Sequence, residues 1–111
     1  MLVNIREIIG SDSALTPSSG ELIYKVLERE ISSKNPVKLD FSGIEIITSA
    51  FLNSAVGRLY SKYSSTQLND LLFIINISND DLQLLKKVIE RAKEYFTDQK
   101  SFNERLDRNL E

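Results

Sequence analysis

The chain has 111 residues, 41% apolar and 27% charged, with a formal net charge of −2. That suffices for one globular domain with a single core and is too little for two. It contains no His and no Cys, which excludes His-based triads, thiolate nucleophiles, disulfides and ordinary zinc sites.

Residues 2–9, LVNIREII, alternate imperfectly: Val3, Ile5 and Ile9 fall on one face, Asn4 and Arg6 on the other. The pattern predicts an edge strand with one solvated face, followed by a loop over residues 10–15. TPSSGE carries two helix-start signals. Thr16 and Pro17 fit an N-cap and first helical position, and Ser18 with Glu21 fits a capping box. Leu22, Ile23, Val26, Leu27 and Ile31 form the apolar stripe of that helix. It should end at residues 33–35, because Pro36 disfavours a helical residue before it. Val37, Leu39 and Phe41 then point one way from a short strand, and Lys38 and Asp40 the other. Gly43 sits in the turn, and Ile44, Ile46 and Ile47 are expected to tuck a connecting segment into the core.

A helix over residues 48–63 follows. LLFIINI reads as a strand buried on both faces. Ser78 with Asp81 marks another helix start, and Leu82, Leu85, Val88, Ile89, Ala92 and Phe96 trace an amphipathic helix to about residue 96. Strand–helix alternation predicts an α/β fold, a small mostly parallel sheet with helices packed on it. The expected domain spans residues 1–96, with an amphipathic tail over 97–111. In that tail Phe102, Leu106 and Leu110 recur every four residues behind a Ser101–Glu104 capping pair. The tail is too short to be stable alone, so it should dock on this domain or on a partner, including a second copy, or else fray.

No apolar run approaches the roughly 20 residues of a membrane span. The opening MLVNIREIIG lacks the order of a signal peptide, so a cytoplasmic protein is expected. Residues 1–63 carry seven basic and seven acidic side chains, and residues 64–111 seven and nine. Neither half offers a basic patch, so a protein or small ligand is expected rather than nucleic acid. The four glycines are too dispersed for a phosphate-binding loop, and no cofactor or metal is expected. Asp40 and Glu45 flank the loop before the helix at residue 48. They could do acid–base work, but at a strand end and in a loop they read as solvated or capping groups.

Thr48 and Ser49 stand where that helix opens. Either can be its N-cap. The same position also suits a modifiable hydroxyl, because a phosphate at a helix N-terminus meets free N–H groups and the positive end of the dipole. It would add nearly two negative charges to a surface that a partner must cover. Thr48 is the better cap, which leaves Ser49 as the first candidate for modification and Thr48 as the second. Ala50, Ser54, Gly57 and Ser61 form a stripe of small residues along the helix, with Asn53 beside it. The stripe either packs against a neighbouring element or lets a partner approach the helix closely.

The segment LDFSGIEIITSAFLNSAVGRLY resembles the signature of STAS domains, which include the anti-anti-sigma factors, and most closely the short bacterial STAS-like proteins of the DUF4325 group. That signature is a strand ending in Asp, a loop, then Asp-Ser-Ser-Gly-Leu opening a helix. Leu39 to Ile44 match the strand and loop, and Thr48 to Leu52 occupy the helix opening. Thr48 stands in place of the Asp, Ala50 of the second Ser and Phe51 of the Gly, an aromatic that DUF4325 chains share. The usual pair of strands before the first helix is shortened to one. The resemblance covers residues 1–96. It implies a non-catalytic regulatory module with Ser49 at the phosphorylatable position and a histidine-kinase-like ATPase as partner. The competing readings are a phosphorylation-independent assembly subunit, homodimeric or part of a signalling or defence complex, and a binder of phosphate compounds.

Overall fold

The computed structural model describes the backbone of residues 1–110 and the side chains of residues 1–96. The core sheet is three-stranded, parallel and ordered β1-β3-β5. It consists of β1 (Leu2–Asn4), β3 (Val37–Asp40) and β5 (Leu72–Ile75). Leu39 stands opposite Val3 on one side and Ile74 on the other. A second, two-stranded parallel ribbon joins β2 (Ser13–Ala14) to β4 (Ile46–Ile47). The helices are α1 (Ile5–Ile9), α2 (Pro17–Ser32), α3 (Ser49–Ala55), α4 (Ser65–Leu71) and α5 (Asn79–Leu110), with a 3-10 turn at Gly57–Ser61. The α/β architecture matches the strand–helix alternation of the sequence.

Several elements depart from the sequence pattern. The predicted first strand stops at Asn4 and turns into α1. The Asn4 side chain accepts the Glu7 N–H at 2.9 Å, and Gly10 closes the helix in the left-handed region at φ 70°. A cap and a left-handed glycine therefore override the weak period-2 alternation. The expected loop over residues 10–15 contains β2, so two strands precede α2 rather than one. At the start of α2 the Thr16 signal operates: its hydroxyl accepts the Ser19 N–H at 3.1 Å, with Pro17 at the first position.

The inward face of α2 is rotated from the predicted stripe. Gly20, Ile23, Tyr24, Leu27 and Ile31 are buried, whereas Leu22 is exposed. The helix expected over residues 48–63 breaks at Val56 into α3 and the 3-10 turn. The turn is clamped to α2 at two points. Arg58 lies over the Tyr24 ring at 4.2 Å, and Glu28 takes Lys62 at 3.1 Å and the Tyr63 hydroxyl at 3.0 Å. The apolar run after Asp70 is partly helical: α4, with a full Ser64–Gln67 capping box, extends through Leu71. That leaves β5 four residues long, at the sheet edge and only half-buried, with Phe73 exposed. At the start of α5 the Ser78 hydroxyl accepts the Asp81 N–H at 3.2 Å. Leu85, Val88 and Ala92 are buried along this helix. Phe102, Leu106 and Leu110, with the homodimer contact expected of them, and the Ser101–Glu104 pair lie outside the described side chains.

The most extensive contact between elements joins α2 to α3. Gly20 sets its distance, because a Cβ there would stand 2.6 Å from the Phe51 carbonyl oxygen and 2.7 Å from the Ser54 Cβ. Phe51 is fully buried beneath this crossing. Gly57 is different: a Cβ there would meet Asn53, Val88 and Ala92 at 3.4 to 3.8 Å, ordinary contact distances. Gly20→Ala should therefore lower unfolding stability by about 1–3 kcal/mol. Gly57→Ala should be neutral or stabilising by up to about 1 kcal/mol. Urea denaturation of the two variants checks the contrast; equal effects would contradict it.

Candidate protein-binding surface

The three core strands end together, and one carboxylate binds their ends. Asp40, at the end of central β3, is only 7% exposed. Its Oδ1 accepts the Ser42 N–H at 2.9 Å, the Ser42 hydroxyl, and the Asn76 side-chain amide at 3.0 Å. Its Oδ2 accepts the Asn4 amide at 3.2 Å. Asn4 is the last residue of β1 and the cap of α1, while Asn76 follows β5 with φ 56°, a conformation Asn tolerates. The Ser42 hydroxyl, the Asn76 amide and the Ser42 N–H, in that order, hold the Asp40 carboxyl down to about 2 from the ordinary 3.8, against the opposing effect of burial. Of the two expected roles, solvated or capping, Asp40 takes the capping one, accepting the Ser42 N–H while buried, and it is not a free base. Glu45 is exposed, and its backbone N–H bonds the Asp12 carbonyl at 2.8 Å; it does not join Asp40. Among the described residues no group of three or more acidic side chains is placed to hold a metal ion, and no helix is long and apolar enough to cross a membrane.

The loop leaving Asp40 leads through β4 to the mouth of α3. Thr48 is the N-cap: its hydroxyl oxygen accepts the Phe51 N–H at 3.2 Å and its O–H donates to the Leu15 carbonyl at 2.6 Å. The second bond ties the mouth to the ribbon, where the Thr48 N–H also meets the Ala14 carbonyl at 3.1 Å. Ser49, the first residue of α3, is exposed, and its hydroxyl makes no hydrogen bond among the described residues. Around it the surface is apolar. Ile46 is 55% exposed and Leu15 43%, and Ala50 is exposed as well. Strand alternation puts Ile46 and Thr48 on one face of the ribbon. Ile46 was expected to tuck inward and instead faces solvent, while Ile44 and Ile47 are half-buried against the core. Phe51, the bulky departure from the STAS pattern, points into the core and leaves the mouth uncovered.

The small-residue stripe divides. The Ser54 hydroxyl donates to the Pro17 carbonyl at 2.8 Å, against α2, and Gly57 is buried against Val88 and Ala92 of α5. Both serve packing within the chain. Ala50, Asn53 and Ser61 are exposed, with the Ser61 hydroxyl turned onto the Arg58 carbonyl at 2.7 Å. The surface residues that sequence reasoning missed are Leu15 and Ile46. Nothing in the SAL and EII segments reveals that two-residue strands pair them.

A family model described as a STAS-like domain of unknown function (DUF4325) matches residues 19–82. The match spans more than half of the 111 residues, and the chain belongs to this family. No curated protein matches the chain, and no solved structure does. The matched stretch contains Asp40, the α3 mouth and Asn76; Asn4 lies before it.

The depressed Asp40 carboxyl carries a sign. Its folded value lies below its unfolded one, so its contribution is complete above about pH 4 and is lost as pH falls toward 2. Asp40→Asn should lower stability at pH 7 by about 2 kcal/mol, the usual loss for hydrogen bonds to a charged group. The gap between wild type and variant should narrow between pH 4 and pH 2, as read by urea denaturation across pH.

Proposed function

We propose that the chain is a cytoplasmic, non-catalytic regulatory module that docks a protein partner over the mouth of α3, with Ser49 as its switch. One observation carries the reading: Thr48 makes the cap, which leaves the Ser49 hydroxyl exposed and without a hydrogen bond among the described residues. The exposed Leu15 and Ile46 beside it supply the apolar contact that a partner would bury. A phosphate on Ser49 would sit against the opening N–H groups of α3, so the fold tolerates it. The same phosphate would place up to two negative charges on the apolar contact, and desolvating them would oppose docking. The resemblance to anti-anti-sigma factors points to a histidine-kinase-like ATPase as the partner. The bound-up state of Asp40 supports a binding role over acid–base chemistry.

Incubated with ATP and such an ATPase encoded beside it, the chain should gain one phosphate at Ser49, mapped by mass spectrometry. Ser49→Glu should weaken binding at least tenfold (about 1.4 kcal/mol), and Ser49→Ala should retain it. Full binding by Ser49→Glu, with no phosphate found, would remove the switch and favour phosphorylation-independent docking.

A further inference from the structure

A groove of about 280 Å³ runs between the end of α3 with its 3-10 turn and α5. Gly57 and Ala92 line it together with Tyr95 and Phe96, whose rings stand edge to face at 5.0 Å and 81°. Asn53 of α3 and two arginines from different elements, Arg58 of the 3-10 turn and Arg91 of α5, complete its lining. We propose that this groove binds an acidic peptide segment of a protein partner, with one apolar side chain of the segment seated between the arginines. The proposal rests on the reading of the chain as a protein-binding module and adds a second contact, at the other end of α3 from Ser49.

Size and charge carry it. At about 280 Å³ the groove lies at the lower edge of the roughly 300–1,000 Å³ of small-molecule pockets, and it has room for an inserted side chain. Both arginines are exposed. The ion pairs among the described residues are Arg29–Glu30 and Lys62–Glu28, so neither groove arginine has an acidic partner there. Glu90 and Glu94, exposed on the same helix as Arg91, make no ion pair with it. Arg58 is held in place by the Tyr24 ring beneath it, so little side-chain freedom is lost when a carboxylate arrives. Guanidinium groups take carboxylates in two-point contacts. In a chain of net charge −2, this cationic spot runs against the overall sign, as expected of a surface that selects an acidic segment. Arg and Tyr are also residues that dominate binding at interface centres.

The test uses the full chain, labelled with ¹⁵N. The probe is an acetylated hexapeptide of four glutamates around a Leu-Trp pair, compared with its counterpart carrying lysines for the glutamates. The acidic peptide should shift the amides of Gly57, Arg58, Arg91 and Ala92, and the lysine peptide should not. Raising the salt to about 0.5 M should weaken the effect, because exposed pairs are screened. Arg91→Glu should weaken binding at least tenfold. Equal shifts with both peptides, or no shifts at millimolar peptide, would overturn the proposal. Shifts confined to Ser49 and Ala50 would overturn the groove and leave docking at the α3 mouth standing. Conversely, an unaffected Ser49→Glu variant in ATPase binding would leave a positive groove result intact. The wild-type titration decides the matter even if Arg91→Glu folds poorly.

Discussion

The Asp40 carboxylate is the constraint on which the remaining structure depends. Three parallel strands of three or four residues have little ladder to hold them in register. Their carboxyl ends are gathered by one acceptor that takes Asn4 from β1, Ser42 from its own loop and Asn76 from behind β5. Each bond has an ionised acceptor, which makes it stronger than a neutral one. Since the Asn4 side chain also caps α1, the start of that helix is coupled to the same anion. Carboxyl ends of parallel strands are where α/β proteins usually place ligand chemistry. Here that position is occupied by an internal knot, and the exposed surface lies further along the chain.

The knot and the α2–α3 crossing together decide what α3 presents. Gly20 lets α2 approach the backbone of α3, which buries Phe51 and Leu52 and turns Ser54 onto Pro17. What remains outward is a short path from Ile46 through Ser49 and Ala50 to Asn53. The ribbon β2–β4 extends this path with Leu15. α5 covers Gly57 and adds its own cations and rings at the far end. A partner following α3 would therefore meet an apolar, hydroxyl-bearing end and a basic, aromatic end.

Much of this was legible in the sequence where the signal is local. Thr16-Pro17, Thr48 and Ser78 each start a helix through a bond three residues away, and the amphipathic stripe of α5 follows from its 3.6-residue period. The Asn4, Glu7 and Gly10 triplet and the Ser64–Gln67 box were equally local, but an apolar alternation and an apolar run outweighed them. Non-local features left no trace. Asn4 and Asn76 each lie 36 residues from Asp40, so nothing near Asp40 distinguishes a knotted carboxylate from a solvated one. Two-residue strands such as β2 and β4 have no period to read, and with them the exposure of Leu15 and Ile46 was hidden. The small-residue stripe was visible, but which of its members packs inward depends on where α2 and α5 lie.

One anion couples the ends of separate elements. Native-state hydrogen exchange in wild type and Asp40→Ala measures this directly. The Phe41 amide bonds the Ile75 carbonyl across β3 and β5, and the Glu7 amide bonds the Asn4 cap of α1. Removing the carboxylate should speed exchange at both, together with Ser42. Faster exchange confined to Ser42, with Phe41 and Glu7 unchanged, would contradict this coupling.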